Sequence, residues 1–406
     1  MRSARRLVKG LLPAPLALAC ASPEPGGAPE EVPEWTLRRT VLIGSSEHPV
    51  YGFSAVGSVL ADGDGVYVSL PQEGRIRVFT RGGEFVRDLG AGRGAGPGEL
   101  TAPAMLGWRG PGTIWVGDQI LGRFTFFDVA SGEAETIPYH AYVSDSRGTT
   151  GFQPLIPLSE SRAAAIRLTS SGGRERGAFT TMPLVALDTA GMVRDTLALL
   201  AIAAHVQITA GAAADGVLNR RHPLDRGDTW NFARDGSGAV IVEGRSWTGT
   251  GPAEYGVTRV DAEGDTLFHR RIAYEPLPVP DGYYDPDIEE SLEIPVVADR
   301  RRFAAALREF LERVRYFPPV TRVQVGSDFT TWIAGPDEAG EQTWLVLDPS
   351  GASIGRFRLP ATSRVSDANR TEAWVVEKDA LDIPYVVRYE IVPWMKVISQ
   401  LRSPDT

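Results

Sequence analysis

The 406-residue chain has a single cysteine, Cys20, so no disulfide within the chain can staple its fold. Lysine occurs only at Lys9, Lys378 and Lys396, and the net charge is −9. Nucleic-acid grooves and polybasic lipid patches both need dense positive charge, and this balance excludes them. Histidine is confined to His48, His140, His205, His222 and His269, none at a short ligand spacing from another, so a zinc site has no support. Nucleotide loops are missing too: the glycine-rich stretch 90–98 fits neither the Walker nor the dinucleotide pattern. The segment GFSAV at 52–56 lacks the last glycine of a serine-hydrolase elbow. Past the first twenty residues no apolar run is long enough to span a bilayer. The chain is nevertheless 43% hydrophobic, which is ample for a core and too much for a disordered chain.

The first residues carry an address. Arg2, Arg5, Arg6 and Lys9 precede a short apolar run over 11–19, broken by Pro13 and Pro15. That run is too short to cross a membrane and reads as a signal peptide, residues 1–19. It ends in LALAC at 16–20, which resembles a bacterial lipobox with Cys20 as the lipidated residue. The resemblance implies a membrane anchor of several acyl chains and leaves no cysteine for catalysis. Ala21, rather than Asp, follows Cys20, so an outer-membrane lipoprotein facing the periplasm or the cell surface is expected. Residues 21–34 are rich in Pro, Gly and Glu and complete a flexible tether, 20–34.

From residue 35 to the C-terminus the chain repeats itself. Apolar runs ending in an acidic turn with glycine, each followed by a second strand-like run, occur at 77–89, 124–137, 184–197, 257–272 and 344–359. Asp128, Asp188, Asp261 and Asp348 are placed to cap these turns, and Gly132, Gly191, Gly264 and Gly351 to take positive φ. Each hairpin follows another strand signal, such as GVYVSL at 65–70 or TTWIAG at 330–335. A sixth set, EAWVV (372–376) with YVVRYEIV (385–392), has no outer strand after it, while WTLRRTVLI (35–43) is an orphan at the other end. Pairing the two closes a ring and removes both open edges. The expected fold is therefore all-β, a six-bladed β-propeller of four-stranded antiparallel blades over 35–406. A seventh, degenerate blade within 198–228 is the alternative.

One segment supports a family resemblance. GAGRGAGPGELTAPAMLGWRGPGTIWVGDQILGRFTFFD (90–128) resembles an NHL-type repeat through its Gly-Pro-Gly-Glu connector at 96–99, Pro103, TIWVGD, Arg123 and Phe127-Asp128. The mature chain as a whole is similar to six-bladed NHL-like propeller lipoproteins. Some propellers of this shape are enzymes, of gluconolactonase or peptide-amidating-lyase type, and that likeness implies a divalent ion in the central channel. Asn231, in TWNFARD, suits such a channel, but no convergent carboxylate set can be assigned. A metal-dependent hydrolase or lyase is accordingly the second reading.

Long connectors at 138–152, 198–228 and 273–320 all join an outer strand to the next inner strand and converge on one face, called here the top. The last carries a helical insertion, about 281–318, between blades four and five. Within it DRRRFAAALREFLERVR (299–315) predicts a helix capped by Asp299 and stopped by Pro318-Pro319. Phe303, Ala306, Leu307, Phe310, Leu311 and Val314 fall on one stripe, expected to plug the propeller top, and Glu309 and Arg313 are spaced for an ion pair. Asp281, Asp285, Asp287, Glu289 and Glu290 precede the helix without the spacing of a calcium loop. Arg220, Arg221, His222 and Trp230 sit where the chain returns to the axis, and Arg322 and Arg364 open two other inner strands. Together they suggest a cationic ring at the channel mouth. The function expected is that of a non-catalytic binding or scaffold module at the envelope, without cofactor or metal. It would take an envelope protein or a small anionic ligand on its top face.

Overall fold

The computed structural model describes residues 32–393, apart from 46, 119, 140–141, 146–147, 169–178, 210–216 and 294–299. The signal peptide, Cys20, most of the tether and Asp299 lie outside the described residues.

Six blade sheets follow one another along the chain, with a two-stranded sheet between the third and the fourth. Strand β1, Trp35–Ile43, comes first. Blade one is Val59–Ala61, Gly65–Leu70, Arg75–Thr80 and Phe85–Leu89 (β2–β5); blade two is Pro103–Trp108, Thr113–Asp118, Arg123–Asp128 and Ala134–Pro138 (β6–β9). Blade three has an extra strand: Tyr142–Asp145, Gly148–Pro157, Arg162–Leu168, Phe179–Asp188 and Val193–Ala203 (β10–β14). A separate hairpin, Val206–Thr209 with Val217–Arg220 (β15, β16), precedes blade four, Thr229–Phe232, Gly238–Val242, Glu254–Asp261 and Thr266–Ala273 (β17–β20). Helices Asp285–Leu292 (α1) and Arg300–Glu312 (α2) follow. Blade five is Arg322–Val325, Thr331–Glu338, Glu341–Leu347 and Ser353–Pro360 (β21–β24), and Arg364–Asn369, Glu372–Lys378 and Pro384–Pro393 (β25–β27) begin blade six.

Strand β1 completes blade six. It pairs antiparallel with β27, from Trp35 opposite Pro393 to Ile43 opposite Val386, and the sheet order is β1-β27-β26-β25. The orphan strand thus closes the ring at six blades, and among the described residues the stretch 198–228, proposed for a seventh, holds the end of β14 and the two-stranded hairpin β15–β16. Trp35 enters the core cluster of blades five and six, edge-on to Trp332 at 6.1 Å. Its indole lies over Gly355, where a Cβ would stand 2.0 Å from the ring, so only glycine admits it. Ile43, at the far end of the strand, is fully buried in the cluster between blades six and one.

The repeat turns work as their chemistry requires. Asp128 Oδ1 accepts from the amides of Ala130 and Ser131, Asp188 Oδ1 from Ala190 and Met192, Asp261 Oδ1 from Glu263 and Asp265, and Asp348 Oδ1 from Ser350 and Ala352. Gly132, Gly191, Gly264 and Gly351 take φ of 79°, 79°, 93° and 85°. Backbone amides hold the Asp128 and Asp188 carboxyls below their ordinary range, and the Ser350 hydroxyl, then the amides, does so for Asp348. In the 90–128 segment, Arg123 donates to the carbonyls of Ala95, Gly96 and Glu99, which pins the Gly-Pro-Gly-Glu connector to blade two. Asp118 accepts from the amides of Thr101, Ala102, Ile120 and Leu121 and fixes the same corner.

The helical stripe is buried as its periodicity demands: Phe303, Leu307, Phe310, Leu311 and Val314. Its partners differ from the expectation of a plug seated on the blades. The stripe packs with Ile208 of β15, Leu224, and Tyr284 and Ile288 of the α1 segment, so two long connectors build a cap with a small core of its own. The expected Glu309–Arg313 pair gives way to Arg308, which bonds Glu312 at 3.1 Å and Asp285 at 2.7 Å. Arg313 lies instead over the Phe310 ring at 4.5 Å, where it covers apolar surface.

Candidate functional site

Inner strands β2, β6, β11, β17, β21 and β25 surround the axis. The side chain that dominates it is Arg234, two residues beyond β17. Its carbonyl accepts from Trp108 N at 3.0 Å and Trp115 Nε1 at 2.9 Å, which fastens this turn of blade four to blade two. Its guanidinium reaches further. Nη1 donates to Ser58 Oγ at 2.9 Å and to Leu106 O at 2.6 Å, and Nη2 to Ser366 O at 2.8 Å. Blade four stands opposite blade one in a six-membered ring, so this one side chain spans the axis and ties four blades. Arg234 is half-buried, its Nε is buried without a partner, and desolvation lowers its pKa against the opposing charge of Asp367.

Arg322 and Arg364 open β21 and β25, and both are half-buried. Arg322 Nη1 donates to Ser363 O at 2.7 Å, and Arg364 Nη2 to Val56 O at 3.0 Å. Among the described residues, no carboxylate lies within ion-pair distance of Arg226, Arg234, Arg322 or Arg364. Desolvation, then the charges of Arg234 and Arg322, lowers Arg364 to about 10. Arg322 is lowered by desolvation and then by Arg226. The carboxylate felt by Arg234 is Asp367, which is buried and accepts from Ala61 N at 2.8 Å and Ala368 N at 2.9 Å. Burial raises Asp367 to about 6 against the opposing pull of those amides and of Arg234.

Of the residues singled out in the sequence, Arg322 and Arg364 come near one another at the starts of adjacent inner strands, with Arg226 within electrostatic reach of Arg322. Arg220 and His222 go elsewhere. Strand β16 directs Arg220 to the cap, where it bonds Ser291 Oγ at 3.0 Å and faces Asp287 at 3.5 Å. Arg221 is exposed, and Trp230 rests half-buried against the core shared by blades two to four. Asn231 lies in β17, half-buried, as the sequence indicated. Arg234 escaped sequence reasoning because nothing local distinguishes it; only closure of the ring brings it to the axis.

A divalent ion does not fit this channel. Among the described residues no three His, Cys, Asp or Glu converge. The axis instead presents guanidinium groups, whose charge repels a cation, and both oxygens of Asp367 are taken by amides.

No protein-family model matches the chain, and no curated protein matches it. Solved structures of similar shape exist. A member of the DUF4221 family from Bacteroides vulgatus is 12% identical, with 89% of this chain and 98% of that chain covered and a TM-score of 0.49. A putative exported protein from Bacteroides fragilis is 9% identical, with 90% and 98% covered and a TM-score of 0.44. A streptogramin B lyase is 11% identical, with 88% and 98% covered and a TM-score of 0.37. These likenesses are too distant to say what the chain does, and the fold rests on its own sheets.

His222 belongs to the cap core, 2% exposed between the rings of Tyr284 and Phe310. Nε2 donates to Leu311 O at 2.8 Å and Nδ1 accepts from Leu224 N at 3.2 Å, an arrangement that requires the neutral ring. Burial lowers its pKa from 6.5 to about 4, against the raising effect of the Leu311 carbonyl. The unfolded chain therefore binds the proton first as pH falls. The stabilisation is complete above about pH 6.5 and drains away towards pH 4, a loss of about 3 kcal/mol. Chemical denaturation at pH 7 and pH 4.5 should show a steeper loss in the wild type than in His222→Gln. Equal slopes would remove His222 from the account.

Proposed function

We propose that the protein is an envelope-anchored lipoprotein whose propeller serves as a non-catalytic binding module, taking an anionic ligand or an acidic group of a partner at the axial mouth. The anchor is read from the LALAC segment and Cys20. The observation that carries the binding reading is the set Arg226, Arg322 and Arg364 above Arg234. Arg234, Arg322 and Arg364 are half-buried like charges bonded to carbonyls and a hydroxyl rather than to carboxylates, and the exposed Arg226 adds its charge from outside. Such a grouping opposes folding, because it concentrates repulsion where water screens poorly. A ligand of opposite charge supplies a reason to keep it.

The test removes Arg322 and Arg364 together by Arg→Ala. Neither pairs with a carboxylate, so the cost should be limited to the carbonyls of the buried Ser363 and of Val56 that lose a donor, about 1–3 kcal/mol each. Capture of a component from envelope extract should be lost, and wild-type capture should weaken with salt. A stable double variant that still captures the wild-type component would end this reading. In the same cells Cys20→Ser should leave the membrane fraction or remain an unprocessed precursor. Unchanged partition and mature mass would refute the anchor.

A further inference from the structure

We propose that the axial mouth binds a compact oxyanion carrying two negative charges, held between the guanidinium groups of Arg322 and Arg364. The inference rests on the binding reading above and names its ligand class. A guanidinium has five N–H donors in a planar fork. Among the described residues each of these two uses a single protein partner, Ser363 O for Arg322 and Val56 O for Arg364. The remaining donors are neither engaged nor buried without a partner, so they are open to the channel. The two residues open the inner strands of adjacent blades, which sets two forks side by side. Between them in the chain stands Ser363, whose hydroxyl is buried without a partner and whose carbonyl holds Arg322.

Charge decides the valence. Arg234, Arg322 and Arg364 are the three half-buried guanidinium groups, and Asp367 acts on them through Arg234. A single negative charge would leave a positive excess standing; two bring the site to neutrality. The size follows from Arg234, whose side chain crosses the axis from blade four to Ser58 and Ser366 and narrows the channel there. Planar forks recognise carboxylate and phosphate oxygens bidentately, so a phosphoryl group and a dicarboxylate share the required chemistry.

Isothermal titration calorimetry on the full chain in detergent, at low salt, separates the cases with inorganic phosphate, succinate and acetate. At least one dianion should bind one to one and weaken as salt rises, with acetate weaker by roughly tenfold or more. The tighter of phosphate and succinate identifies the source. Arg322→Ala and Arg364→Ala should each weaken that ligand roughly tenfold or more, and Arg364→Lys should retain part of the affinity because it keeps charge without the fork. If an alanine variant melts early, the lysine variant carries the same comparison. Absence of heat with both dianions, equal binding of acetate, or affinity indifferent to these substitutions would overturn the proposal. Dianion binding in a protein whose envelope capture ignores Arg322 and Arg364 would retain this site and discard the module reading. Capture that depends on both arginines without dianion binding would do the reverse.

Discussion

Deleting residues 35–43 is expected to abolish cooperative unfolding and to yield a protein that aggregates. Strand β1 contributes to two cores at once. Trp35 packs with Trp332 and over Gly355, Leu37 lies beside the same cluster, and Ile43 is buried with Val386 and Trp374. Loss of a buried tryptophan alone costs about 3–5 kcal/mol, and Ile43 adds about 2–5 kcal/mol. That sum is comparable to the whole stability of an ordinary domain. The deletion also bares the edge of β27, whose amides and carbonyls would then pair with another chain. The control must stop at residue 31, since Arg356 N donates to Pro33 O at 2.9 Å and Arg356 bonds Glu34 at 2.8 Å. Removal of 21–31 should leave the melt unchanged. Two deletions with the same behaviour would show that β1 does not hold the ring.

Phe310→Asp is the second large effect. Phe310 is 7% exposed, against His222 at 5.3 Å between ring centroids and under Arg313. The substitution removes an aromatic side chain and leaves a carboxylate in an apolar site, at a cost on the order of 4 kcal/mol. The cap has its own core, so the damage should be local. Hydrogen exchange should accelerate in α2 and around β15 and β16, while amides of blades one and two keep their protection. Glu309→Ala, on the exposed face, should leave exchange unchanged in cap and blades alike. Uniformly faster exchange throughout the propeller would mean that cap and blades unfold as one.

How much was readable in the chain depended on how local the cause is. The turn aspartates and glycines act within five residues, and their sequence pattern located the hairpins. The closing strand was readable by elimination, as a strand with no neighbour at one end and a missing edge at the other. The helix announced itself through its stripe, but its partner did not. Strands β15 and β16 are four residues each, too short for a pattern, and they carry off Arg220 and draw His222 into the cap core. Proximity in sequence had grouped those two with Arg322 and Arg364; the hairpin parts them. Arg234 had no local signal at all, because its bonds run to residues 128 to 176 positions away.

That spoke has an evolutionary consequence. Propellers change size when a repeat is duplicated or lost, and most repeats touch only their neighbours, which makes such events tolerable. Here one side chain must touch Ser58, Leu106 and Ser366 at once. A seventh repeat would widen the hub beyond the reach of a single guanidinium, and a ring of five would leave it no room. The bonds of Arg234 thereby suit a hub of six repeats, and a change of girth would break them.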